Sequence, residues 1–183
     1  STTPSIATVS SSGLVTAVAN GSTGIIAISG SGSAVATVTV TQAAATIELS
    51  VSSLSFVSVG VCYEADSSDD VPGCSPLTTT IKDANGNAVS GATVTWTSSD
   101  TTVATVTSAG LVLSVGNGTA TLTATSGSAS ATVSVTVAQA AASVTLSPAT
   151  VSFASLADTA TLVATVKDAA GSSMAGATVT WAS

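Results

Sequence analysis

Two cysteines, Cys62 and Cys74, bracket a polar segment that holds Glu64, Asp66, Asp69 and Asp70, four of the nine acids in the chain. Two thiols around one loop, in a sequence with no other cysteine and no histidine, read as a disulfide. A soft-metal site would want four thiolates or a histidine, and these are missing. A disulfide implies an oxidising, extracellular compartment, and closing such a loop contributes about 3 kcal/mol in the chain-entropy account. The four carboxylates are a candidate Ca²⁺ site, since that ion takes about six to eight oxygen ligands. Their spacing lacks the central glycine and terminal glutamate of an EF-hand loop. The plainer reading is a solvated acidic loop that keeps a sparsely charged protein in solution, and it is preferred because only composition speaks for the ion.

Other polar positions invite chemistry too. Asp83-Ala84-Asn85-Gly86-Asn87 is rich in oxygens, but Asn-Gly between two alternating runs is a hairpin signal in which both central residues tolerate positive φ. Asn20-Gly21-Ser22 and Asn117-Gly118-Thr119 both fit the acceptor pattern for N-linked sugar, making Asn20 and Asn117 glycosylation candidates beside the simpler reading of a turn. Serine and threonine are abundant, yet no histidine stands near them, and Lys82 and Lys167 each precede a turn. No nucleophile–base pair can be named, so the sequence does not read as an enzyme and calls for no cofactor beyond the candidate Ca²⁺. With a net charge of −7 and two basic side chains, the chain cannot build the positive footprint that nucleic acid requires.

The elements that carry these residues are strands. Hydrophobic residues make up 45% of the chain but aromatic ones only 3%, so the apolar content is mostly valine and alanine, alternating with threonine and serine. Ala92–Trp96, Thr119–Thr125 and Ala131–Val137 each place an apolar residue at every second position, the period of a strand with one face on a core. No apolar run approaches the roughly 18 residues of a membrane span, although mean hydropathy is +0.64. The fold class is all-β. Phe56, Trp96, Phe153 and Trp181 are the expected packing anchors of otherwise small-residue cores.

The chain also repeats itself. An offset of 97, which carries Gln42 onto Gln139, superposes residues 6–42 on 103–139 without gaps, and it brings Phe56 onto Phe153. Further on the offset falls to 85, which carries Lys82 onto Lys167 and Trp96 onto Trp181. The difference measures an insertion around residues 62–74. A repeat of this size signals an array of small domains. The expected organisation is the C-terminal half of a domain in 1–41, a complete domain in 42–138 with its loop at 62–74, and the N-terminal half of another in 139–183. The complete domain should hold strands near 46–50, 53–58, 77–82, 92–98, 103–106 with 111–115, 119–125 and 131–137, as a β-sandwich spaces them. The Gln-Ala-Ala-Ala stretches at 42–45 and 139–142 read as short joints of limited bending.

Lys82-Asp83-Ala84-Asn85-Gly86-Asn87, Gly91-Ala92-Thr93-Val94-Thr95-Trp96, Val103-Ala104-Thr105-Val106 and Gly110-Leu111-Val112 together resemble the bacterial immunoglobulin-like domains. The resemblance is to the group 2 type, with a trace of the invasin/intimin type in the Asp-Ala-Asn-Gly-Asn turn, and it spans the chain apart from residues 62–73. It implies tandem immunoglobulin-like sandwiches acting as spacer, scaffold or adhesive modules of surface or phage structural proteins, with no catalytic residues.

Neither half-domain should cover its apolar face alone. Either the chain is a window of a longer array, or separate subunits join head to tail, one copy completing the next. The window is preferred because the cut respects no linker. Both readings give an extracellular stalk or filament of the cell surface, whose partner is a neighbouring copy. The alternative is a module that grips a glycan or receptor through the 62–74 loop.

Overall fold

The computed structural model describes residues 1–62 and 76–183. Every regular element in it is a strand. Among the described residues no helix is long and apolar enough to cross a membrane. The first part of the chain holds β1 (Ala7–Val9), β2 (Val15–Ala17), β3 (Gly21–Ser29) and β4 (Gly32–Val40). The middle holds β5 (Thr46–Leu49), β6 (Ser53–Phe56), β7 (Thr79–Lys82), β8 (Thr95–Ser98), β9 (Ala104–Val106), β10 (Val112–Ser114), β11 (Gly118–Ser126) and β12 (Ala129–Val137). Two more, β13 (Ser143–Ser147) and β14 (Val163–Lys167), close the list.

The middle strands form a two-layered sandwich. One sheet runs β6-β12-β11-β8, with β6 parallel to β12 and the other pairs antiparallel. The facing layer is the antiparallel pair β5–β7, with β9–β10 as a further two-stranded ribbon. Period-two alternation decides which face is inside. Along β12, Val133, Val135 and Val137 are buried while Ser134 and Thr136 are exposed. Each such valine contributes about 1.5–3 kcal/mol by leaving water. Leu54, Phe56, Leu77, Val112 and Leu122 fill the larger part of the core; Ile47, Ile81, Ala124 and Ala129 fill a smaller part. Trp96 is half-buried and packs against both.

Expected strand limits hold to within about three residues. The strand expected over 92–98 begins only at Thr95, and the one expected over 53–58 ends at Phe56. Gly21 and Gly118 begin β3 and β11, so Asn20-Gly21 and Asn117-Gly118 are bends at a strand entrance rather than hairpin turns. Close packing favours glycine at these entrances: a Cβ on Gly118 would come within 2.8 Å of Val103, and one on Gly21 within 2.8 Å of Ile6.

The sheet of four is built from both halves of the domain. The early strands β6 and β8 flank the late hairpin β11–β12 on either side. In the first part of the chain, β3–β4 repeats that hairpin with the same register, but among the described residues no strand pairs with either of its edges. The Thr2 backbone reaches β3, its N–H donating to Gly24 O at 2.8 Å. In the last part, β13–β14 repeats β5–β7, while residues 150–153 and 180–183, counterparts of β6 and β8, form no strand. A strand needs a partner for its ladder, and among the described residues no β11- or β12-like hairpin lies beside them.

Candidate interdomain joint and assembly surface

Three side chains recur at both Gln-Ala-Ala-Ala stretches. At the first, Asn20 Oδ1 accepts the Gln42 backbone N–H at 2.6 Å and Asn20 Nδ2 donates to Gln42 Oε1 at 3.3 Å. Gln42 Nε2 then donates to Asp83 Oδ2 at 3.1 Å. At the second, Asn117 Oδ1 accepts the Gln139 N–H at 2.7 Å and Asn117 Nδ2 donates to Gln139 Oε1 at 3.1 Å. Gln139 Nε2 donates to Asp168 Oδ2 at 2.9 Å. The asparagine belongs to the unit before the joint and the aspartate to the unit after it, so each glutamine ties two units together. Bonds to an ionised acceptor are the stronger kind.

The aspartates are presented by tight turns. Gly86 N–H donates to Asp83 O at 3.0 Å, and Asp83 Oδ1 accepts the N–H groups of Asn85 at 3.0 Å and Asn87 at 2.9 Å. Only Gly86 has positive φ, at 82°, so the turn does not demand the left-handed conformation of Asn85. That explains the second copy, where Ala170 stands at the asparagine position and Gly171 keeps φ at 81°. The Gln42 amide, then the Asn87 N–H, holds the Asp83 carboxyl below its ordinary value, and the Gln139 amide does the same for Asp168.

The second joint carries an additional contact. The Val59 N–H donates to Asp168 Oδ2 at 3.1 Å and Ser172 Oγ donates to the Val59 carbonyl at 3.3 Å. Asp168 is consequently only 2% exposed. Among the described residues none fills the place of Val59 at the first joint, and Asp83 is half-buried.

Asn20 and Asn117 are exposed, but each side-chain amide, the atom a sugar would join, is committed to a glutamine. Phe56 is buried and Trp96 half-buried. Phe153 and Trp181, expected to anchor a core, are instead 56% and 54% exposed, because among the described residues no late hairpin covers them. Cys62 makes a β-bridge to Leu113 and is half-buried. Its expected partner Cys74, together with Glu64, Asp66, Asp69 and Asp70, lies outside the described residues. The joints are legible in the sequence, but the relay of side chains across them is not. The signal was there, since asparagine, glutamine and aspartate all persist between copies at positions with no apolar role.

The exposed apolar residues form two matching sets. Val144, Leu146, Val151, Phe153, Leu162 and Trp181 are exposed at the positions where the complete domain has Ile47, Leu49, Leu54, Phe56, Leu77 and Trp96. In β3–β4, Ala27 and Ala36 are exposed and Ile25, Val38 and Val40 half-buried where β11–β12 buries Ala124, Val133, Leu122, Val135 and Val137. One set lies at the positions of the early strands of the middle sandwich, the other at the positions of its late hairpin.

The profile of the bacterial Ig-like domain (group 2) family matches residues 1–51 and 76–137. No curated protein matches the chain. Among solved structures, the crystal structure of the S-layer protein rSbsC(31-844) is 22% identical with a TM-score of 0.45, covering 94% of this chain and 23% of that one. The crystal structure of S-layer protein SbsC domains 4 and 5 is 24% identical with a TM-score of 0.43, covering 74% of this chain and 66% of that one. The chain thus spans about a quarter of the longer S-layer chain it resembles.

Proposed function

Starting from a chain that belongs to the group 2 bacterial Ig-like domain family, we propose that this protein is a structural and adhesive component of the cell surface. It builds an extracellular stalk or filament of tandem sandwiches, and the half-domains in 1–41 and 139–183 are each completed by the neighbouring repeat or subunit. Its mechanism is mechanical. Each sandwich buries its own core, the glutamine joints hold successive units, and length grows by repetition. The work is positional, and catalysis has no part in it.

One observation carries this reading: the early and late halves expose complementary core sets, and the missing strands are those whose pairing partners lie in the opposite half. Union would pair the open edges of β3 and β4 and bury the apolar face, which removes the aggregation hazard of both. A Cys62–Cys74 disulfide belongs to the same proposal, as a staple suited to an extracellular fibre. Electron microscopy of the native material tests it, together with a denaturing gel. Fibres that dissolve to a band near 17 kDa mean that subunits complete one another, and a far larger band means a continuous array. Isolated monodisperse particles with no fibre at any concentration would refute the proposal.

A further inference from the structure

We propose that the cavity beside the first joint is a seat for residues 154–158 of a second copy of this chain. The cavity is open, about 820 Å³, and its lining includes Val18, Asn20, Gln42, Asp83 and Asn87. At the second joint the corresponding residues are Val115, Asn117, Gln139, Asp168 and Ser172, and there the space is occupied. Residues 57–61 fill it. Val59 N–H meets Asp168 Oδ2, Ser172 Oγ meets the Val59 carbonyl, and the Ala140 N–H donates to the Val57 carbonyl at 3.0 Å.

The counterpart of that filling segment, at the offset of 97, is 154–158. It stands free in this chain, with Leu156, the counterpart of Val59, 100% exposed. It is also already shaped for the seat. Ala157 has φ 68° where Gly60 has φ 74°, so a residue with a side chain is held in the left-handed conformation that the docked glycine uses. The turn is kept by the Ser155 N–H donating to Asp158 Oδ2 at 2.9 Å. Docked, the Leu156 N–H donates to Asp83 Oδ2, the Asn87 side-chain amide donates to the Leu156 carbonyl, and the Ala43 N–H donates to the Ala154 carbonyl. One part of the internal template is not reproduced. The Ser114 hydroxyl, which lies 2.9 Å from both Ser58 O and Val61 O and gives its one proton to either, is replaced by Ala17, so the seat relies on backbone bonds and on the side chains of the joint itself.

This assignment rests on the reading that half-domains complete one another, and it names where the halves lock and that the donor is a separate copy. Paired cysteines test it in the full chain. A Cβ on Gly60 would lie 4.0 Å from Ser172 Oγ, so Gly60→Cys with Ser172→Cys should close within one chain and serves as the geometric control. Ala157→Cys with Asn87→Cys should instead give, on oxidation, a ladder of covalent multimers on a non-reducing gel, with most chain above the monomer band. Peptide mapping should join position 157 to position 87, and either single variant should give no ladder. Fibres that grow while the pair gives no ladder, with the control closing, would overturn the seat and leave the filament reading intact. A 157–87 link found only within single chains would overturn the separate-copy occupant. The absence of both fibres and ladder would remove the two proposals together.

Discussion

Gln139 Nε2 lies 2.9 Å from Asp168 Oδ2, so a side chain of the joint holds a carboxylate of the following unit, as Gln42 holds Asp83 at 3.1 Å. Because the same glutamine is itself held by the asparagine of the preceding unit, three side chains fix the passage from one sandwich to the next. Replacing Gln139 by alanine should loosen that passage without unfolding the domain. Small-angle scattering should show a broader distribution of dimensions, while urea unfolding of the central sandwich shifts by less than about 1 kcal/mol, as for surface substitutions generally. An unchanged distribution would mean that the relay does not set the geometry.

Acid should loosen both joints. The Asp83 and Asp168 carboxyls sit below the ordinary value of 3.8, each chiefly through its glutamine. A depressed folded value contributes stability that is complete above 3.8 and is lost as pH falls through the lower folded value. The side-chain amide resonances of Gln42 and Gln139 should therefore stay constant from neutrality to about pH 5 and move only below 3.8. Asp168→Asn should abolish the movement at Gln139 and spare it at Gln42. Movement centred above 3.8 would contradict the assignment.

Equivalent core positions should differ in cost. Leu122 is fully buried, and Leu122→Ala should destabilise the central sandwich by about 2–5 kcal/mol. Its counterpart Ile25 is only half-buried, so Ile25→Ala should cost the dispersed chain much less. In assembled material the two should converge. Equal costs in the dispersed chain would show that the first half is already a closed core.

Glycines at matched positions make a sharper comparison. Gly110 and Gly13 share φ 84°, but a Cβ on Gly110 would come within 2.9 Å of the Leu77 carbonyl, whereas one on Gly13 meets nothing within 4 Å. Gly110→Val should disrupt folding. Gly13→Val should add only the strain of a side chain at positive φ, about 1–3 kcal/mol, yet abolish fibre growth because Leu162 of a neighbour would need the same space. Normal growth of Gly13→Val fibres, by turbidity or microscopy, would argue against completion.

Trp181 supplies an optical readout. It is 54% exposed here and its counterpart Trp96 is half-buried. In a Trp96→Phe chain, emission should move to shorter wavelength and acrylamide quenching should fall on assembly. A spectrum that does not change between dispersed and assembled states would leave Trp181 outside any core.

Much of this fold was legible in the residues. Alternating Val133, Val135 and Val137 announce both the strand and its inner face, and the 97-residue offset announces the copies. Two things were not legible. The parallel pairing of β6 with β12 joins residues about eighty apart in sequence, and alternation says which face is inside without saying which edges meet. The relay was hidden because Asn20-Gly21 has a local explanation as a turn. The structure instead places that asparagine at a strand entrance, with its side chain turned toward Gln42. Local propensity describes the backbone at such a position, whereas its side chain answers to a residue twenty-two positions away.

A relay of the same three side chains at both joints has a consequence for shape. Repeating one rotation and one rise generates a screw, so a fibre of these units would have a fixed pitch and hand, written into one asparagine, one glutamine and one aspartate per repeat. Pulling on it would load the amide–carboxylate contacts before any hydrophobic core, which makes the connections, and not the sandwiches, the first compliant element of the thread.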